Sequence, residues 1–100
     1  MKLGRLTLEL PESIIKDIDK RDVLFYLLSK ALTKMEYYRT KCQQFESKYG
    51  KDLQAFRQQM ENSKENFEWW DDFIVWEGYE QAYQEWKRKY EELKLVLQDN

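Results

Sequence analysis

Residues 22–50 read DVLFYLLSKALTKMEYYRTKCQQFESKYG, and their apolar side chains recur four and three positions apart: Leu24, Leu28, Ala31, Met35, Tyr38, Cys42, Phe45 and Tyr49. A helix presents positions with this spacing as one continuous seam, because an average step of 3.5 residues keeps them on one side of the cylinder. Such a stripe is stable only against another apolar surface. Gly50, directly after Tyr49, can take the left-handed backbone conformation that ends a helix. Cys42 falls inside the seam and reads as a small buried hydrophobe, since an activated thiol needs an exposed, electropositive setting.

The second surface lies later in the chain. Trp69, Asp72, Trp76, Tyr79, Tyr83, Trp86, Tyr90, Leu93 and Leu97 repeat the same spacing, and eight of the nine are apolar. Asp72 is the exception. Asn66 is placed to cap this helix, which is expected to run to about Leu97. Between the two seams, Asp52 can cap a short helix carrying Leu53, Phe56, Arg57 and Met60, followed by a polar turn over residues 61–65. That turn lacks the Gly, Ser and Pro richness of a flexible tether. Residues 1–50 and 51–100 are therefore expected to pack as one folding unit, the first half serving dimerisation and the second a partner.

Upstream, Leu6, Leu8 and Leu10 alternate with Arg5, Thr7 and Glu9, the period of a half-buried strand. Pro11 has no amide hydrogen, so it stops a ladder and suits the first turn of a helix through Ser13, Ile14, Ile15 and Ile18. No second strand pattern is present. One strand must then pair with its copy, lie on helices or join a foreign sheet edge, and a homodimer or higher oligomer is the economical solution. The expected fold is mainly α: one short N-terminal β-strand paired in a dimer, then helices, two of them long and heptad-patterned.

Composition narrows the function classes. With 100 residues, 16% aromatic and 36% charged, one proline and three glycines, the chain fits a single helical domain rather than a disordered segment. Histidine is absent and Cys42 is the one cysteine, which removes the usual members of zinc, nucleophile–base and disulfide sets. Glu68, Asp71 and Asp72 could neighbour a hard cation, but acidic residues in a helix's first turn are explained by the macrodipole. No glycine-rich phosphate loop or nucleophile elbow is present. An enzyme, a metal site and a cofactor are not expected. Residues 1–10 are too short and polar for a secretory signal, and no apolar run reaches membrane length, so the expected location is the cytoplasm.

Charge and aromatic content divide the chain. Residues 1–60 hold 12 Lys or Arg against 8 Asp or Glu, and residues 61–100 hold 5 against 11, giving +4 and −6 within a net charge of −2. Nine aromatic rings, all four tryptophans among them, fall in residues 66–90. One helix cannot bury so many rings on itself. Candidate partner-binding residues are therefore Trp69, Trp70, Asp71, Asp72, Phe73, Trp76, Tyr79 and Tyr83, with Trp70, Asp71 and Phe73 the ones the heptad leaves least used. In the basic half, a two-stranded ribbon could enter a DNA major groove and present Lys2, Arg5, Thr7 and Glu9.

Residues 4–15, Gly4-Arg5-Leu6-Thr7-Leu8-Glu9-Leu10-Pro11-Glu12 with Ser13-Ile14-Ile15, resemble the opening of ribbon-helix-helix proteins. That resemblance implies an intertwined dimer with Arg5, Thr7 and Glu9 facing DNA. The remainder, with Phe45-Glu46, Lys48-Tyr49-Gly50, Phe56, Phe67, Trp70-Asp71-Asp72, Trp76-Glu77, Tyr79 and Tyr83, is similar to small prokaryotic antitoxins encoded beside a toxin. In the type II antitoxins, an N-terminal dimerisation and operator-binding part precedes an acidic, aromatic helix that clasps a basic toxin. The resemblance thus implies a cognate basic toxin and operator DNA as partners. Two alternatives are a helical oligomeric scaffold with no toxin, and a ribbon-type transcriptional regulator with no protein partner.

Overall fold

The computed structural model describes residues 1–62 and 66–99, which form four helices: α1 (Glu12–Ile15), α2 (Lys20–Tyr49), α3 (Leu53–Asn62) and α4 (Phe67–Gln98). The long helices α2 and α4 run antiparallel as a hairpin. Tyr49 lies beside Trp76, Tyr38 beside Tyr79, and Leu27 shares a groove with Leu93 and Val96, so rising numbers on α2 meet falling numbers on α4. All eight seam positions of α2 and all nine of α4 are buried or half-buried. The two heptad stripes are each other's partner surface.

Local chemistry sets each helix boundary. Asp19 and Asp22 form a reciprocal capping box: the Asp22 N–H donates to Asp19 Oδ1 at 3.1 Å and the Asp19 N–H donates to Asp22 Oδ2 at 2.9 Å. Gly50 ends α2 at φ 66°, and its N–H donates to the Glu46 carbonyl at 2.7 Å. Asp52 accepts from the Ala55 N–H at 2.8 Å, and Asn66 from the Trp69 N–H at 3.2 Å. These caps satisfy amides that have no partner inside their own helices.

α3 lies over the closed end of the hairpin, here called the tip. Phe56 is its centre, with ring centroids 4.2 Å from Tyr49, 5.4 Å from Trp76 and 6.1 Å from Trp69. Cys42, Phe56, Met60 and Trp76 form the buried core, and Phe45, Tyr49, Leu53, Trp69, Phe73 and Tyr79 pack around it. Cys42 is buried as its seam position requires. Burial first, and then a hydrogen bond to Glu80, pushes its thiol up to about 12.

The N-terminal region departs from the sequence expectation. Among the described residues no strand forms: residues 1–11 carry no regular structure and all lie exposed. The physical reason is that a strand is completed by a ladder partner, which a single chain with one alternating segment does not contain. The helix expected through Ser13, Ile14, Ile15 and Ile18 is the single turn of α1, which stops before Ile18. The capping box fixes the cause, because Asp19 must leave helical geometry to cap α2. α2 accordingly starts at Lys20, slightly before the expected Asp22. Most of the polar turn expected over 61–65 lies outside the described residues, since α3 continues through Asn62.

Candidate partner-binding surface

At the start of α4, a 3.6-residue helix with a heptad seam divides its aromatic side chains between two faces. Trp69, Trp76, Tyr79 and Tyr83 follow the seam, while Phe67, Trp70, Asp71 and Ile74 fall on the opposite side. The structure places the seam group in the protein's own core. Trp76 is 0% exposed, stacked on Phe45 at 5.6 Å and on Tyr49 at 6.2 Å. Trp69 rests against Phe56, and Tyr79 lies 6.3 Å from Phe45. Tyr83 is half-buried. Among the described residues no acceptor reaches the buried Trp76 indole nitrogen, so this ring is held by stacking and burial alone.

Asp72 is also committed inside the chain. Its carboxylate accepts from Lys48 Nζ at 2.6 Å and from the Tyr49 hydroxyl. Lys48 bridges on to Glu68 at 3.3 Å. The Lys48 ammonium, and then the Tyr49 hydroxyl, hold the Asp72 carboxyl below the usual carboxylate range. Burial and the same carboxylate push the Tyr49 hydroxyl up to about 12. The Asp72 bond raises Lys48 above the ordinary lysine value. The one polar residue of the α4 seam therefore ties the end of α2 to the start of α4.

What remains open is narrower than the sequence suggests. Phe67 is 84% exposed, Ile74 64% and Trp70 43%, with Asp71 exposed between them and Val75 beside Ile74. Trp70 stands edge-on to Phe73 at 6.3 Å and 89°. Phe73 itself is half-buried against Phe56, with the Arg57 guanidinium 5.4 Å above its ring. Arg57 also pairs with Glu77 at 2.6 Å. Trp70, Phe73, Met60, Arg57, Glu61 and Glu77 line a notch of about 220 Å³ between α3 and α4. The surface thus offers an aromatic wall, a shallow apolar notch and a carboxylate-rich rim.

Of the eight candidate partner-binding residues, Trp70 and Asp71 are on this surface, Phe73 floors it, and Trp69, Asp72, Trp76, Tyr79 and Tyr83 belong to the helix packing. Phe67 and Ile74 complete the exposed row without being among those eight. Their signal is the spacing 67, 70/71, 74 opposite the seam. The α3 side of the notch had no signal, because ten residues do not say which neighbour they will cover. Lys2, Arg5, Thr7 and Glu9 all lie exposed on the N-terminal arm. No family model, curated protein or solved structure matches the chain.

Proposed function

We propose that this chain is a non-enzymatic binding protein of the antitoxin type, which holds a small basic toxin against the outer face of α4 at the hairpin tip. The observation that supports it is the exposed row Phe67, Trp70 and Ile74 with Asp71 inside it, next to a core that is already complete. Apolar rings that the fold does not use are the usual anchors of an interface, and carboxylates at the rim suit Lys and Arg on a partner. In the same reading the N-terminal arm pairs with its copy as a two-stranded ribbon. Lys2, Arg5, Thr7 and Glu9 then face operator DNA.

The proposal requires a small basic protein encoded beside this gene, and expression of that protein tests it. That protein should arrest growth when produced alone, and co-production of the wild-type chain should restore growth. The variant Trp70→Ala/Ile74→Ala should restore it poorly while accumulating as folded protein. A neighbour with no toxicity, or full rescue by the variant, contradicts the reading. The helical scaffold is the second reading, favoured by the burial of the seam aromatics within the chain. It requires that the wild-type chain have no affinity for the neighbouring protein.

A further inference from the structure

The two ends of the hairpin are built differently. At the tip, α3 forms a third layer over α2 and α4, and the residues beneath it are buried. At the opposite, open end no third helix covers the two long ones among the described residues, and Leu24, Leu28, Trp86, Tyr90 and Leu93 are only half-buried. Residues 23–28, VLFYLL, place apolar side chains around the whole circumference of α2. A helix apolar all round is one that is covered all round. Here one flank, at Leu27, is approached by residues 1–4 across a groove of about 380 Å³ shared with Trp86 and Leu93. The other flank meets no second element: Phe25, with the Arg21 guanidinium 5.7 Å from its ring centroid, is 48% exposed and Leu32 39%.

We propose that this open end is a homotypic interface, in which a second copy of the chain lays its own α2 flank across Phe25 and Leu32 and supplies the missing layer. The inference shares the dimer of the proposed function, and it depends on neither the toxin nor the pairing of the arms. Three observations commit the occupant to a second copy. The chain exposes 8147 Å², whereas a compact monomer of 12.4 kDa exposes roughly 6,100 Å² by the usual size scaling. The difference of roughly 2,000 Å², spread over the rod and its exposed arm, is on the scale that each chain of a large, obligate dimer buries. Ile15 and Ile18 just before α2, and the leucines of the arm, are apolar and exposed as well. Finally, Asp19, Lys20, Arg21 and Asp22 at the start of α2 carry both signs of charge, so a two-fold contact brings no single-sign wall against itself.

Sedimentation of the full chain, with isotope-filtered nuclear Overhauser spectra on a mixture of labelled and unlabelled copies, tests the inference. The wild type should sediment at twice 12.4 kDa and show intermolecular contacts from the Phe25 ring and the Leu32 methyls. Phe25→Glu/Leu32→Glu should halve the mass and keep the near-ultraviolet signal of the tip core. Trp70→Ala should leave the dimer intact even if the toxin reading fails. A monomeric wild type overturns the inference. So do intermolecular contacts confined to residues 3–10, a result that would assign the dimer to the arms alone and needs no variant to fold.

Discussion

Asp72 shows how a single residue can look functional in sequence and serve packing in structure. A carboxylate in an aromatic seam suggests a contact for a basic partner, yet Lys48 and Tyr49 already occupy it. Asp72→Ala removes an acceptor from two donors and should cost about 1–2 kcal/mol in urea unfolding, with Tyr49→Phe costing less. The carboxyl is held below its ordinary range when folded. Its contribution is therefore complete above the unfolded carboxylate pKa of about 4 and is lost as pH falls through the folded value. Tyr49 and Cys42 act in the opposite direction, since both are pushed up to about 12. Their stability is fully present below the unfolded values, about 8.5 for a thiol and about 10 for a phenol, and is lost as pH rises toward the folded ones. Urea midpoints should fall progressively above about pH 8.5, and Cys42→Ala should flatten the first part of that decline. Trp76 and Trp70 make the sharpest contrast. Trp76→Ala opens the centre of the core and should cost about 3–5 kcal/mol, whereas Trp70→Ala should stay within about 1 kcal/mol.

At the scale of elements, the two long helices were legible because their seams are nearly uninterrupted, and each boundary is marked by a residue with a definite backbone role. Gly50 sits at φ 66°, where a side chain strains the backbone. Gly50→Ala should cost about 1–2 kcal/mol in thermal or urea unfolding, and Asn66→Ala about 1 kcal/mol through the lost cap. The arm was not legible in the same way. Alternation at Leu6, Leu8 and Leu10 reports a preference for extended backbone, but a strand is a property of a pair, and this chain holds one member. The division of α4 into core and outer faces was half legible. The heptad correctly sent Trp69, Trp76 and Trp86 inward, while Phe73 went under Arg57 and against Phe56 because α3 folds over the tip. That placement depends on a tertiary contact between residues 17 positions apart, from Phe56 to Phe73, and no local pattern encodes it.

As a whole molecule the chain is a rod of 62 × 25 × 20 Å with a radius of gyration of 19.4 Å, against about 13 Å for a compact domain of this length. Such a shape separates its two exposed apolar surfaces. The closed tip carries Phe67, Trp70, Asp71 and Ile74, and the open end carries the α2 flank and the arm. Two copies joined at their open ends would hold two tips apart, each free to take a partner. The antitoxin proposal requires a small basic protein encoded beside this gene, and calorimetric titration of the full chain with that protein measures the tip directly. Wild type should bind, and Trp70→Ala/Ile74→Ala should weaken binding by roughly thirtyfold or more, the loss of about 2 kcal/mol expected of an interface anchor, while still unfolding cooperatively on heating. Unaltered affinity in that variant would contradict the assignment of the outer face of α4 as the partner-binding surface.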